Sequence, residues 1–112
     1  MLTTKVLNPL MIRQQLHLSQ ERMGHLLRVS AKTLWRWENK NSTLNRDIQQ
    51  RLSKLKQIAE LAEKIYTPEG VETFLSIPIA EFDSLSAYEL MTLGKYDQVL
   101  GALAADYEGL GY

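Results

Sequence analysis

The residues most able to do chemistry lie in one short run, Ser30 to Lys40. If Ala31 to Glu38 is helical with Leu34 and Trp37 turned inward, Ala31, Lys32, Thr33, Trp35 and Arg36 stand on its outer side, with Lys40 just beyond. An ammonium, a hydroxyl and a guanidinium on one helix face offer hydrogen bonds to the base edges of a major groove. An Arg or Lys seated on guanine contributes about 1–3 kcal/mol of discrimination. The same charges also suit an ordinary solvated face. Trp35 has two readings, stacking on a sugar-phosphate edge or covering a neighbouring helix. Bond-breaking chemistry finds little support. The chain has no cysteine, and His17 and His25 have no partner at ligand spacing, so no metal is expected. Nor is there a Ser/His/Asp ordering or a phosphate-cradling glycine loop, so neither an enzyme, a cofactor nor a small-molecule substrate is expected.

Charge along the chain agrees with a polyanion-binding first half. The formal net charge of zero divides into 11 Lys/Arg against 3 Asp/Glu over residues 1–56, a net of +8. Residues 57–112 carry 2 against 10, a net of −8. A basic half suggests nucleic acid, and an acidic half suggests a different partner. At 112 residues and 45% hydrophobic content the chain makes one compact domain, or two very small ones sharing a core. The first ten residues lack the apolar core of a signal peptide, and no apolar run approaches the ~20 residues of a membrane span. A soluble, cytoplasmic protein that does not meet a membrane is expected.

Apolar spacing is helical almost throughout, which predicts an all-α fold. A first helix runs from about Pro9 to His17. Ser19 caps a second that turns Met23, Leu26 and Leu27 inward, and Ser30 caps the third. Gly24 lies where helices two and three must cross closely, a place for a side chain no larger than alanine. Gly costs about 1 kcal/mol of helix propensity there, which close approach would offset. After a break at Asn39 to Thr43, a long amphipathic helix spans about Leu44 to Tyr66, with Ile48, Leu52, Leu55, Ala59, Ala62 and Ile65 on one stripe. Thr67-Pro68 starts another helix, which stops at Ile77-Pro78. An irregular loop then leads to a short helix from Ser86 to Met91. Lys95 to Tyr107 forms the last helix, and Glu108 to Tyr112 an extended tail.

Two short capped helices joined by Arg28-Val29-Ser30 form a helix-turn-helix pattern. The run from Leu18 to Asn39, with its Ser19-Gln-Glu opening, Val29-Ser30 turn and Trp37-Glu-Asn close, resembles the Xre family of phage-type repressors. The resemblance implies that Gln20 and Asn39 contact phosphates and that Ala31, Lys32, Thr33 and Arg36 face bases. It also implies a structural ion pair between Arg13 and Glu38.

The rest of the chain is similar, in order, to the toxin-binding module of Xre/MbcA/ParS antitoxins. The matching pieces are Leu44, Arg51-Leu52, Phe74-Leu75, Ser86-Ala-Tyr-Glu-Leu-Met, Gly94 and Val99-Leu-Gly-Ala-Leu. Phe74 stands where that family has Trp, Ile77-Pro78 where it has Pro-Asn, and Ala87-Tyr88 where it has Pro-Leu. The resemblance implies a helix-turn-helix domain over 1–43, a connecting helix over 44–66 and a toxin-binding module over 67–112. It implies a RES-domain, NAD-handling toxin as partner, beside operator DNA. Tyr88, Asp106, Tyr107, Glu108, Gly109, Leu110, Gly111 and Tyr112 would then meet the toxin, the last seven in its cleft. A frayed end is the alternative for that tail, against which a terminal Leu and Tyr suit anchors on a partner. A homodimer is implied as well. Ile48, Leu52 and Leu55 are candidates for its contact, although burial inside the monomer explains the same stripe. A free-standing regulator without a toxin remains the alternative.

Overall fold

A computed structural model describes residues 7–40 and 43–109. Its elements are α1 (Pro9–Leu16), α2 (Gln20–Leu27), α3 (Ala31–Asn39), α4 (Arg46–Ile65) and α5 (Pro68–Ser76). They continue with β1 (Pro78–Ile79), a 3₁₀ turn (Ala80–Phe82), β2 (Leu85–Ser86), α6 (Ala87–Thr92) and α7 (Tyr96–Gly109). The all-α class holds. Among the described residues no helix is long and apolar enough to cross a membrane.

The helix starts follow side-chain chemistry closely. Asn8, Ser19, Ser30, Asn45, Thr67 and Ser86 each accept a hydrogen bond from a backbone N–H of the first turn they precede. Each such cap contributes about 1 kcal/mol. At α6 the arrangement is reciprocal, because Glu89 also accepts from the Ser86 N–H at 2.8 Å. Asn45 moves the start of α4 to Arg46, two residues later than Leu44. Glu108 and Gly109 are helical in α7, which corrects their assignment to an extended tail. Residues 110–112 lie outside the described chain. The loop before α6 holds a two-residue antiparallel ladder, Pro78 opposite Ser86 and Ile79 opposite Leu85. It is too short for side-chain alternation to announce it.

α4 is the spine. It packs along α7 and against α1, and its Ile48, Leu52, Leu55, Ile58, Ala59 and Ala62 are buried. One continuous apolar cluster joins Ile12, Leu16, Met23 and Leu34 on the basic side to Val71, Phe74, Leu90, Val99 and Leu103 on the acidic side. Ile48, Leu52 and Leu55 are 5%, 0% and 0% exposed, so the assignment of these three to a dimer contact is corrected. A side chain already surrounded by its own chain has no surface left for a second copy.

Candidate functional site

The α2–α3 turn is set by backbone contact. A Cβ on Gly24 would stand 2.8 Å from the carbonyl oxygen of Val29, closer than such atoms approach, so even alanine crowds the turn. The expectation that alanine fits is corrected accordingly. The helix-two end is closed by Arg28 in the left-handed conformation at φ 62°. Leu34 is fully buried, and Trp37 packs half-buried against the same cluster.

This anchoring presents one side of α3 to solvent. Lys32, Trp35, Arg36, Asn39 and Lys40 are exposed, and Ala31 and Thr33 are half-buried between them. Trp35 is 46% exposed, so much of its surface is open to solvent on this side of α3. The Thr33 hydroxyl accepts from Ser30 Oγ at 3.1 Å, and Asn39 Nδ2 donates to the Trp35 carbonyl at 2.8 Å. Arg36 reaches the Thr33 hydroxyl only at 3.4 Å. Among the described residues none of Lys32, Arg36 or Lys40 forms an ion pair. These cations are therefore exposed without a carboxylate partner to displace.

Gln20 belongs to a different network. Arg13 donates to both Glu38 oxygens at 2.7 and 3.0 Å, and Gln20 Nε2 donates to Glu38 Oε1 at 2.9 Å. The Glu38 side chain is 2% exposed. A buried carboxylate requires such donors. Burial alone pushes its pKa up, but the hydrogen bonds from Arg13 and Gln20 and the Arg13 charge outweigh it and hold it below its ordinary value. The pairing of Arg13 with Glu38 is found as the resemblance implies. Gln20, expected on phosphate, places one amide hydrogen on that carboxylate.

Tyr88 also has an internal partner. Its hydroxyl donates to the Arg22 carbonyl at 3.1 Å, and the Arg22 guanidinium lies 4.6 Å from the ring centroid. The His25 ring stacks at 6.5 Å. Tyr88 of α6 thus fastens α2 to the acidic half while staying only half-buried there.

On the acidic side, α5, β1, the 3₁₀ turn and α7 enclose a groove of about 330 Å³. Tyr66 and Phe74 line it as stacked rings 5.4 Å apart, and Phe82 is buried beside them. Asp106 stands on its edge and accepts from the Tyr66 hydroxyl at 3.2 Å. Burial and the adjacent Asp106 charge push the Tyr66 pKa up. Tyr107 continues along α7, its ring 5.8 Å from Lys64 Nζ, and Glu108 and Gly109 are exposed at the helix end. Leu110, Gly111 and Tyr112, expected at a partner's cleft, lie outside the described residues. The groove residues Ile77, Glu81 and Phe82 were not singled out by spacing. Their one signal is Ile77-Pro78, legible as a helix stop and as the place where the resembled family has Pro-Asn.

No family model matches the sequence, and no curated protein matches it. A chain of the M. tuberculosis MbcT–MbcA toxin–antitoxin complex has the same fold. The two superpose with a TM-score of 0.78 over 90% of this chain and 91% of that one, at 22% sequence identity. The shared fold spans both the α2–α3 face and the acidic half.

Proposed function

We propose that this chain is the antitoxin of a type II toxin–antitoxin system, a non-enzymatic regulator with two unlike partners. The observation that carries this reading is the chain-long likeness to a chain of a toxin–antitoxin complex. A helix-turn-helix alone would account for α1 to α3 but not for α5 to α7. The acidic half binds and neutralises a RES-type toxin that consumes NAD. An acidic surface suits a cleft built to hold a dinucleotide's phosphates.

The basic half represses the chain's own operon. Lys32 and Arg36, with Thr33 and Ala31, read bases, while Trp35, Asn39 and Lys40 meet the backbone. The segments 1–43, 44–66 and 67–112 serve as reader, spine and toxin-binding module. The working unit is a cytoplasmic homodimer whose contact lies outside the buried stripe of α4.

The reading expects a RES-domain reading frame beside this chain, and NAD consumption by its product tests it. Equimolar full-length chain should abolish turnover, and undiminished turnover would refute the antitoxin role. Operator binding is checked by salt titration. About four phosphate contacts per protomer give a dimer a log–log slope near ~−7, and a slope near zero would remove the repressor role.

A further inference from the structure

The groove at α5 and α7 combines two features that are seldom left together on a free surface. Its interior is apolar and aromatic, from Tyr66, Phe74 and Phe82, and Ile77 at its edge is 47% exposed. Its charged lining residues are both carboxylates, Glu81 and Asp106, and no Lys or Arg lines it. Asp106 is held in place by the Tyr66 hydroxyl, and Glu81 is exposed. An apolar concavity rimmed by one sign of charge is complementary to an apolar body carrying the opposite sign.

We propose that this groove is the anchor site for the toxin and takes an aliphatic or aromatic side chain flanked by a basic residue. The anchor fills the space between Tyr66, Phe74, Phe82 and Ile77, and the cation pairs with Glu81 and Asp106. Charge complementarity selects this occupant over a second copy's acidic half, which would bring carboxylates against carboxylates. The proposal extends the toxin surface from the end of α7 to the flank of the module. It rests on the antitoxin reading for the partner's identity, though not for the chemistry of the groove.

Two measurements separate these levels. Amide chemical shifts of the full-length chain are followed during titration with phenethylammonium, which carries a ring and a cation, and with phenylacetate, which carries a ring and an anion. Phenethylammonium should give saturable shifts at Tyr66, Thr73, Ile77 and Ala102, reduced in Glu81→Lys, and phenylacetate should give none. Equal response to both, or to neither, overturns the groove chemistry whatever the toxin does.

The second measurement is affinity for the adjacent RES-domain protein by calorimetry. Ile77→Ser and Glu81→Lys should each weaken binding by about tenfold or more, with DNA affinity unchanged. Wild-type chain that fails to bind the toxin defeats the antitoxin reading and this anchor role together, leaving the groove chemistry to the shift experiment. Wild-type binding with both variants equally tight defeats only the anchor site. Because Ile77 and Glu81 are exposed, both variants should keep the wild-type helical spectrum. A changed oligomeric state in Ile77→Ser would assign the groove to self-association and overturn the proposal.

Discussion

The α2–α3 face and the acidic groove are held in shape by opposite means. The first stands on a buried ionic network and a backbone contact, Arg13 and Gln20 on Glu38 and Gly24 under the Val29 carbonyl. The second stands on aliphatic and aromatic packing around Phe74 and Phe82, with a hydroxyl–carboxylate bond at its edge. Polar networks in a low-dielectric setting fix one geometry and fail abruptly when a member is lost. Apolar packing tolerates exchange of similar shapes. Under the proposed function, the surface matched to the fixed spacing of DNA has the rigid support, and the surface proposed to take a side chain has the adaptable one.

The largest expected effect removes the network. Arg13→Met leaves Glu38 buried without its cation and should cost about 3–5 kcal/mol in chemical denaturation. Acid should act on the same place. The folded Glu38 pKa lies below its unfolded value near 4.5, so its contribution is fully present above about pH 4.5. It is lost as pH falls through the lower folded value. Amide exchange in α1–α3 should accelerate there before that in α5–α7. Equal protection of both halves on acidification would erase the comparison.

Gly24→Ala is the next largest, at about 1–3 kcal/mol, because the atom it meets is backbone and cannot turn aside. Thermal unfolding reads this cost. Smallest is Tyr88→Phe, which removes one hydrogen bond to the Arg22 carbonyl and keeps the ring contacts. It should lower stability by about 1 kcal/mol. A cost several times larger would mean that the seam, rather than the α4 core, holds the halves together.

The two regions also differed in how well the sequence announced them. Ser19, Ser30 and Thr67 marked helix starts because a cap is a local bond, made within three residues. The stripe on α4 was legible as burial, but periodicity says only that a face is covered and not by what. Ile48, Leu52 and Leu55 turned out to be covered by their own chain. Long-range pairings were harder. Tyr88 with Arg22 spans 66 residues and Gln20 with Glu38 spans 18, and neither has a spacing signature. The groove was hidden for the same reason, since Tyr66, Ile77, Phe82 and Asp106 meet only after α5 and α7 have packed. The ladder beside it is two residues long, below the length at which alternation shows.

The central claim is that one spine joins two independent binding surfaces, DNA on α3 and toxin on the acidic half. Growth of cells producing the RES-domain protein tests it most directly, with the Lys32→Ala, Arg36→Ala double variant supplied in place of the wild-type chain. Both substituted residues are exposed and neither forms an ion pair among the described residues, so the fold should be unaffected. The account predicts full rescue of growth by a variant that no longer occupies its promoter. Failure of the wild-type chain to rescue, or loss of rescue together with promoter occupancy, would contradict it.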